Sequence, residues 1–168
     1  MHPAPVDVIV PVYNEEAALP AFHRRLTGLD LPVRPIYIDN GSTDGSLRLL
    51  HSFAGAVVIE HATNEGYGAS LRDGIRRATA ERIVIIDADC EYPPEAIPEM
   101  ISRLDQADVV YASRFLEPQQ TRMGWLKVFG NRVITRLFNL LFHQRLTDLY
   151  TGAKAFRRPW QTIVLGGS

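Results

Sequence analysis

Two aspartates separated by one residue, Asp87 and Asp89, follow an apolar run at residues 83–86, and Glu91 comes two positions later. Four consecutive branched apolar residues predict a central strand that is buried on both faces. In an extended chain the side chains of Asp87 and Asp89 would point to the same side. Clustered carboxylates repel one another, and a hard divalent cation relieves that repulsion. The stretch therefore predicts a Mg²⁺ or Mn²⁺ site at Asp87, Asp89 and Glu91.

The D-x-D pattern also has a simpler interpretation, in which two solvated acids close a strand and cap the next helix. Its position after the most apolar strand of the chain favours the metal site. Because Mg²⁺ held by few carboxylates usually takes phosphate oxygens as further ligands, the pattern also points to a phosphorylated substrate.

Composition limits the class of protein. A chain of 168 residues with 46% apolar and 22% charged residues is typical of one soluble globular domain. The single cysteine, Cys90, excludes a disulfide framework and a cysteine-based zinc cluster. We find no basic-then-apolar signal segment in the first five residues, and no apolar run long enough to cross a bilayer.

Charge is distributed unevenly along the chain. Residues 114–158 carry nine Lys and Arg but only two acids, a net of +7, whereas the whole chain has −1 and the remainder therefore −8. A basic final third beside an acidic metal site predicts an anionic partner that approaches from that side. The alternative is a basic face in contact with solvent alone.

Strands alternate with helices through residue 112. The pattern predicts strands at 6–13, 36–39, 57–59, 82–87 and 108–112, and helices at 14–29, 46–53, 69–80 and 95–104. Asn14 is the expected N-cap of the first helix. This order predicts an α/β fold, a Rossmann-like, mostly parallel sheet with helices on both faces.

Ligands of such sheets bind outside the carboxyl ends of the strands. Polar residues collect at those predicted ends: Asn14, Asp39, Asn40, Asp87, Asp89 and Arg114. We therefore expect one site to gather them.

Residues 124–142 have apolar side chains at near-helical spacing, with Lys127, Arg132 and Arg136 among or beside them. One interpretation is a helix that packs on the sheet. The other is an interfacial helix that rests on lipid headgroups.

Four stretches carry a family resemblance: VPVYNE at 10–15, DNGSTDG at 39–45, NEGYG at 64–68 and DADCEYPPE at 87–95. In this order and spacing they resemble the family-2 inverting glycosyltransferases, which have the GT-A fold. ASRF at 112–115 and TDLYTGAKAFRR at 147–158 are similar to the branch that contains dolichyl-phosphate mannose synthase and bacterial polyprenyl-phosphate hexosyltransferases. The resemblance covers about residues 6–158.

The resemblance implies a nucleotide pocket lined by Pro11, Tyr13 and Glu15, with the Tyr13 ring against the base. Asp39 and Asn40 would bind base and ribose. The family often has a second Asp at the position of Asn40, so the choice between GDP and UDP stays open.

The resemblance also implies roles for the charged residues. Asp87, Asp89 and Glu91 match the metal and diphosphate motif, in which mannose synthases often carry Gln at the last position. Asp89 would also be a catalytic residue.

Four basic residues complete the implied site. Arg114 and Arg132 would face the acceptor phosphate, and Arg157 and Lys154 would approach the donor diphosphate. Arg114 and Arg157 would count among the catalytic residues.

The implied reaction is an inverting, metal-dependent transfer of a hexose from GDP- or UDP-hexose to a polyprenyl phosphate. A cation and an arginine would stabilise the charge on the leaving nucleotide. An acceptor hydroxyl needs a general base, whereas a phosphate acceptor is already an anion. The Gln-x-x-Arg-Trp motif of many hydroxyl-acceptor relatives does not occur in the sequence, which favours the lipid phosphate.

We therefore expect a single, C-terminally shortened catalytic domain at 1–168, with residues 114–158 facing acceptor or membrane. It would act in the cytoplasm at the inner face of the membrane, in cell-envelope glycan synthesis, without a nucleic-acid partner. Three alternatives stay open: a nucleotide-sugar-binding domain without turnover, a family-2 enzyme that acts on a saccharide hydroxyl, and a nucleotidyltransferase. The last normally has a basic, glycine-rich loop after the first strand, where this chain has Asn14, Glu15 and Glu16.

Overall fold

The computed structural model describes residues 5–89, 92–112 and 152–158. Within these ranges the strands are β1 (Val6–Val12), β2 (Val33–Asp39), β3 (Val57–Glu60), β4 (Arg82–Ile85), β5 (Val109–Tyr111) and β6 (Lys154–Arg157). The helices are α1 (Leu19–Thr27), α2 (Ser46–Ser52), α3 (Tyr67–Arg77) and α4 (Ile97–Arg103), the last preceded by a 3₁₀ turn at Pro94–Ala96.

The strands form one sheet in the order β3-β2-β1-β4-β6-β5. β1 to β4 are parallel, whereas β6 is antiparallel to both β4 and β5. The predicted mostly parallel α/β sheet is confirmed. β6 is a strand that the sequence pattern did not predict, and it lies between β4 and the fifth predicted strand. Its amino end, at Lys154, shares an edge of the sheet with the carboxyl ends of the other strands.

Side chains of the central strands point alternately to the two faces of the sheet, and each face packs into its own hydrophobic core. On one face Val8, Val10 and Val84 pack with α1, α2 and α4, and on the other Ile9 and Ile83 pack with α3. The run at 83–86 is buried on both faces, as predicted, and no residue in it is more than 3% exposed. Such burial requires helices on both sides of the sheet.

The first helix begins later than predicted. α1 starts at Leu19 with Ala18 at the N-cap position, and Pro20 lies in its first turn. Asn14 is not the N-cap, because its backbone is left-handed (φ 57°) and its side chain accepts a hydrogen bond from the Thr43 N–H at 2.8 Å. The loop after β1 is therefore fastened to the loop after β2, a contact between distant residues that local pattern does not reveal.

Some predictions lie outside the described residues: those for Glu91, Arg114, Arg132, Cys90 and the amphipathic stretch 124–142. Among the helices of the described ranges, none has both the length and the apolar content that crossing a membrane requires.

Candidate active site

The candidate site lies at the carboxyl edge of the sheet, where β2, β1 and β4 are neighbours. β1 ends at Val12, which is in register with Asp39 at the end of β2. Pro11 is half-buried in β1, and the Tyr13 ring directly after the strand is 46% exposed. An exposed aromatic residue thus stands at the same edge as the acids.

Asp39 is buried, with 1% of its surface exposed. Its Oδ2 atom accepts a hydrogen bond from the Ser42 N–H at 3.1 Å. Its Oδ1 atom is buried without a hydrogen-bond partner in the described part of the chain. Buried polar atoms are rarely left unpaired, because the lost hydration is costly. The Oδ1 atom is therefore an acceptor that no residue of the described ranges satisfies.

The family resemblance predicts that the Asn40 side chain contacts base and ribose, but in the structure it is bonded to other residues of the protein. Only 5% of its surface is exposed. Its Nδ2 donates to Asn64 Oδ1 at 3.0 Å, and its Oδ1 accepts from the Glu65 N–H at 3.0 Å and lies 3.0 Å from His61 Nδ1. Through these bonds the Asn40 side chain connects the loop before α3 to the end of β2. Asn40 supports the site rather than lining it.

Glu15, in the loop after β1, interacts electrostatically with both aspartates of the D-x-D pattern. Its backbone N–H donates to Ser46 Oγ at 2.9 Å, which fixes the loop after β1. Burial raises the pKa of the Glu15 carboxyl, and the carboxylates of Asp89, Asp44 and Asp87 raise it further. The structure thus concentrates negative charge here, as a cation site requires.

The D-x-D pattern follows β4 in a turn rather than in an extended strand. β4 ends at Ile85, and residues 88 and 89 form the turn. Asp87 is half-buried and Asp89 is exposed, while Ala88 between them is buried in the core. Both aspartates thus lie outside the core that Ala88 occupies, and the strand ends two residues earlier than predicted, at Ile85.

Two residues that the sequence analysis did not single out hold Asp87. The Tyr67 hydroxyl donates to Asp87 Oδ1 at 3.1 Å. Burial, together with Asp87 and Asp89, raises the pKa of Tyr67, so the phenol stays protonated at neutral pH. Gly152 lies against the Asp87 carboxylate, and a Cβ atom at residue 152 would overlap it. Glycine is therefore the residue that permits this close approach.

Carboxylate oxygens suit Mg²⁺ or Mn²⁺, so Asp87 and Asp89 fit the predicted metal by donor chemistry. Within residues 5–89, 92–112 and 152–158, no three His, Cys, Asp or Glu residues are grouped closely enough to hold a metal ion. Glu91, the third predicted ligand, is outside those ranges.

The two basic residues of β6 lie at opposite edges of the sheet. Lys154 is in register with Ile85 and Tyr111, so it stands at the edge that carries the acids. Arg157 is in register with Arg82 at the amino end of β4. Three residues of a strand span about 10 Å, which carries Arg157 away from the site.

Arg157 also has partners at that far edge. Its guanidinium donates to Glu81 at 2.9 Å, to the Leu104 carbonyl at 3.0 Å and to Asp105 at 3.2 Å. The prediction that Arg157 approaches the donor diphosphate is corrected accordingly. This position of Arg157 could not be predicted without β6, because the direction of the strand determines the edge at which Arg157 lies.

Residues 7–161 match the family described as Glycosyl transferase family 2. A curated relative, the undecaprenyl-phosphate 4-deoxy-4-formamido-L-arabinose transferase of Enterobacter sp. (strain 638), is 32% identical over 165 residues. That match covers 91% of this chain and 49% of the relative, so the chain spans about half the length of the curated relative.

Solved structures share the fold. Glucosyl-3-phosphoglycerate synthase from Mycobacterium tuberculosis, solved with Mn²⁺, UDP and glucosyl-3-phosphoglycerate, has a TM-score of 0.74 at 19% identity, over 97% of this chain and 63% of that one. A mannosyltransferase from Pyrobaculum calidifontis, solved with GDP-Man and Mn²⁺, has a TM-score of 0.67 at 21% identity, over 99% and 48%. At such identities the likeness concerns the fold, and the predicted GT-A architecture is confirmed.

Proposed function

The chain belongs to glycosyl transferase family 2, and on that premise we propose that it transfers a hexose from a nucleotide-diphosphate sugar to a polyprenyl phosphate. The transfer proceeds with inversion, by direct displacement, and uses Mg²⁺ or Mn²⁺. The observation that carries the proposal is the position of Asp87 and Asp89 directly after β4, at the sheet edge that also holds Tyr13 and Asp39.

The nucleotide half of the donor fits the β1–β2 side of this edge. The unpaired Oδ1 of Asp39 accepts a hydrogen bond from a base N–H, a group that both uracil and guanine have. The exposed ring of Tyr13 offers a flat surface for the base. Neither contact selects one base, so UDP- and GDP-sugars are both candidate donors.

The diphosphate fits the β4 side. Asp87 and Asp89, with Glu91, would hold the cation, which when bound supplies positive charge to the leaving nucleoside diphosphate. Lys154 stands at the same edge and offers a second positive charge. Arg157 has no part in this arrangement, because it is at the far end of β6.

Three observations support a lipid-phosphate acceptor. Residues 114–158 are strongly basic, the motif of many hydroxyl-acceptor relatives is absent from the sequence, and the curated relative is named for undecaprenyl phosphate. A phosphate oxygen attacks as an anion, so no general base is needed. Since polyprenyl phosphates reside in membranes, we place the protein at the inner face of the cytoplasmic membrane.

One observation favours a saccharide-hydroxyl acceptor instead. Glu15 has a raised pKa beside the acids, which is a property of general bases. Burial is the largest cause of the raised pKa, and the carboxylates of Asp89, Asp44 and Asp87 add to it. A bound cation would oppose the effect of the carboxylates. We therefore rank this candidate second.

A transfer assay separates the candidates. The chain is incubated with Mn²⁺ and radiolabelled UDP- or GDP-hexoses, with either undecaprenyl phosphate in detergent or soluble saccharides as acceptor. We expect label to enter the organic phase only with the lipid phosphate. Label in a soluble saccharide would support the hydroxyl acceptor, and donor binding without product would support a binding domain without turnover.

A further inference from the structure

Tyr67 is the first residue of α3, and its hydroxyl donates to Asp87 Oδ1 at 3.1 Å. Tyr67 is 46% exposed, so part of the residue is in contact with solvent although its hydroxyl is bonded. We propose that Tyr67 is a positioning residue, which holds the Asp87 carboxylate in the orientation that binds the divalent cation and the donor diphosphate. This inference rests on the proposed function.

The Asp87 carboxylate is confined from two directions. Tyr67 bonds one oxygen, and the backbone of Gly152 lies against the other, where a Cβ atom would overlap it. The two contacts come from the start of α3 and from the residues just before β6. Confinement on both sides leaves the carboxylate little freedom to rotate. Groups that orient a metal-binding carboxylate in this way raise its affinity for the cation.

The start of α3 is itself fixed to the sheet. Asn64 Oδ1 accepts hydrogen bonds from Asn40 Nδ2 and from the Gly66 N–H, both at 3.0 Å. Asn40 also accepts the Glu65 N–H. Gly66 has a φ of 88°, which favours glycine at the entry to the helix. Tyr67 is therefore held by the end of β2, and Asn40 acts on the D-x-D pattern through it.

Tyr111 is a matched tyrosine without this bond. It is 43% exposed, stands at the same edge of the sheet, and its hydroxyl forms no hydrogen bond within the described ranges. Replacing either tyrosine by phenylalanine removes one hydroxyl and keeps the ring. A difference between the two variants therefore reports the bond to Asp87 rather than the loss of a hydroxyl in general.

The test measures Mn²⁺ affinity by the electron paramagnetic resonance of free Mn²⁺, in the presence of UDP and, separately, of GDP. We expect Tyr67→Phe to weaken Mn²⁺ binding about tenfold, the lower end of the range for groups that orient metal ligands, and Tyr111→Phe to bind as the wild type does. UDP affinity in EDTA should be equal in all three proteins, because Tyr67 acts through Asp87.

The experiment distinguishes a failure of the positioning role of Tyr67 from a failure of the proposed function. If the wild type binds Mn²⁺ with a nucleotide and Tyr67→Phe binds it equally well, the positioning role is overturned while the proposed function stands. If the wild type binds no Mn²⁺ with either nucleotide, the proposed function fails as well. Circular dichroism of the variants guards against misfolding, and a Mn²⁺ loss that merely follows a loss of folded protein also contradicts the proposal.

Discussion

Asp39 and Asn40 are adjacent in the chain, but their side chains meet different surroundings. Asp39 has an oxygen that is buried and unpaired, whereas Asn40 is surrounded by donors and acceptors from the loop before α3. The resemblance treats both as ligands of base and ribose, because the family often has two acids there. In this chain the Asn40 amide donates a hydrogen bond to Asn64 Oδ1. A carboxylate could not donate it, which explains why an amide stands at position 40.

The hydrogen bond from Asn40 to Asn64 predicts that Asn40→Asp lowers the stability of the fold. A carboxylate cannot donate to Asn64 Oδ1, and rotating the Asn64 amide to supply a donor would sacrifice its bond to the Gly66 N–H. We expect a loss of about 1–3 kcal/mol in the free energy of unfolding, measured by urea denaturation. Asn64→Asp keeps both acceptor bonds and should change stability little. Equal stability of Asn40→Asp and the wild type would contradict this account of Asn40.

The loops that follow the strands form the site, and hydrogen bonds of their side chains connect these loops to one another. The loop after β1 is tied to the loop after β2 by the bonds of Asn14 and Glu15 to residues 42–46. The loop before α3 is tied to β2 by Asn40. Each tie joins residues more than twenty positions apart, so a pattern within a single element cannot reveal it.

The packing of α1 against α2 predicts a pH dependence of stability. The His23 ring stacks on Phe53, with centroids 3.9 Å apart, and its Nδ1 lies 2.9 Å from the hydroxyl of the buried Tyr37. Burial lowers the pKa of His23, so the unfolded chain takes up a proton at a higher pH than the folded one. The contribution to stability is therefore complete above the ordinary pKa of about 6.5 and declines as pH falls below it.

Urea denaturation at about pH 7.5 and about pH 5.5 tests this dependence. The wild type should lose more stability between the two values than His23→Gln, which cannot titrate. An identical pH dependence in His23→Gln and the wild type would show that His23 does not carry the effect.

At the scale of the whole molecule, much of the sheet is predictable from local pattern. Runs of branched apolar residues predict β1 to β4, and alternation explains why Val84 and Ile83 enter different cores. β6 escaped prediction because its four residues include Lys154 and Arg157, which resemble a basic surface segment. Without β6 the direction of that segment is unknown, and Arg157 was assigned to the wrong edge.

Asp39, Asp87 and Asp89 could be singled out because each lies at or just after a predicted strand, although β4 ends two residues earlier than predicted. Their supports could not be singled out, since the Tyr67 bond to Asp87 and the contact of Gly152 depend on how α3 and β6 meet β4 in space. The one sequence signal was the NEGYG stretch, which marks a glycine-rich turn without indicating where the tyrosine points.

We propose that the acids at the end of β4 hold a cation that binds the donor diphosphate. Isothermal titration with UDP and GDP, with and without Mn²⁺, tests it on the wild type and on Asp89→Asn, with Asp30→Asn as an exposed control. We predict that at least one nucleotide binds in a Mn²⁺-dependent manner, and that Asp89→Asn alone weakens this binding about tenfold or more. Binding of neither nucleotide, or unchanged binding in Asp89→Asn, would contradict the claim.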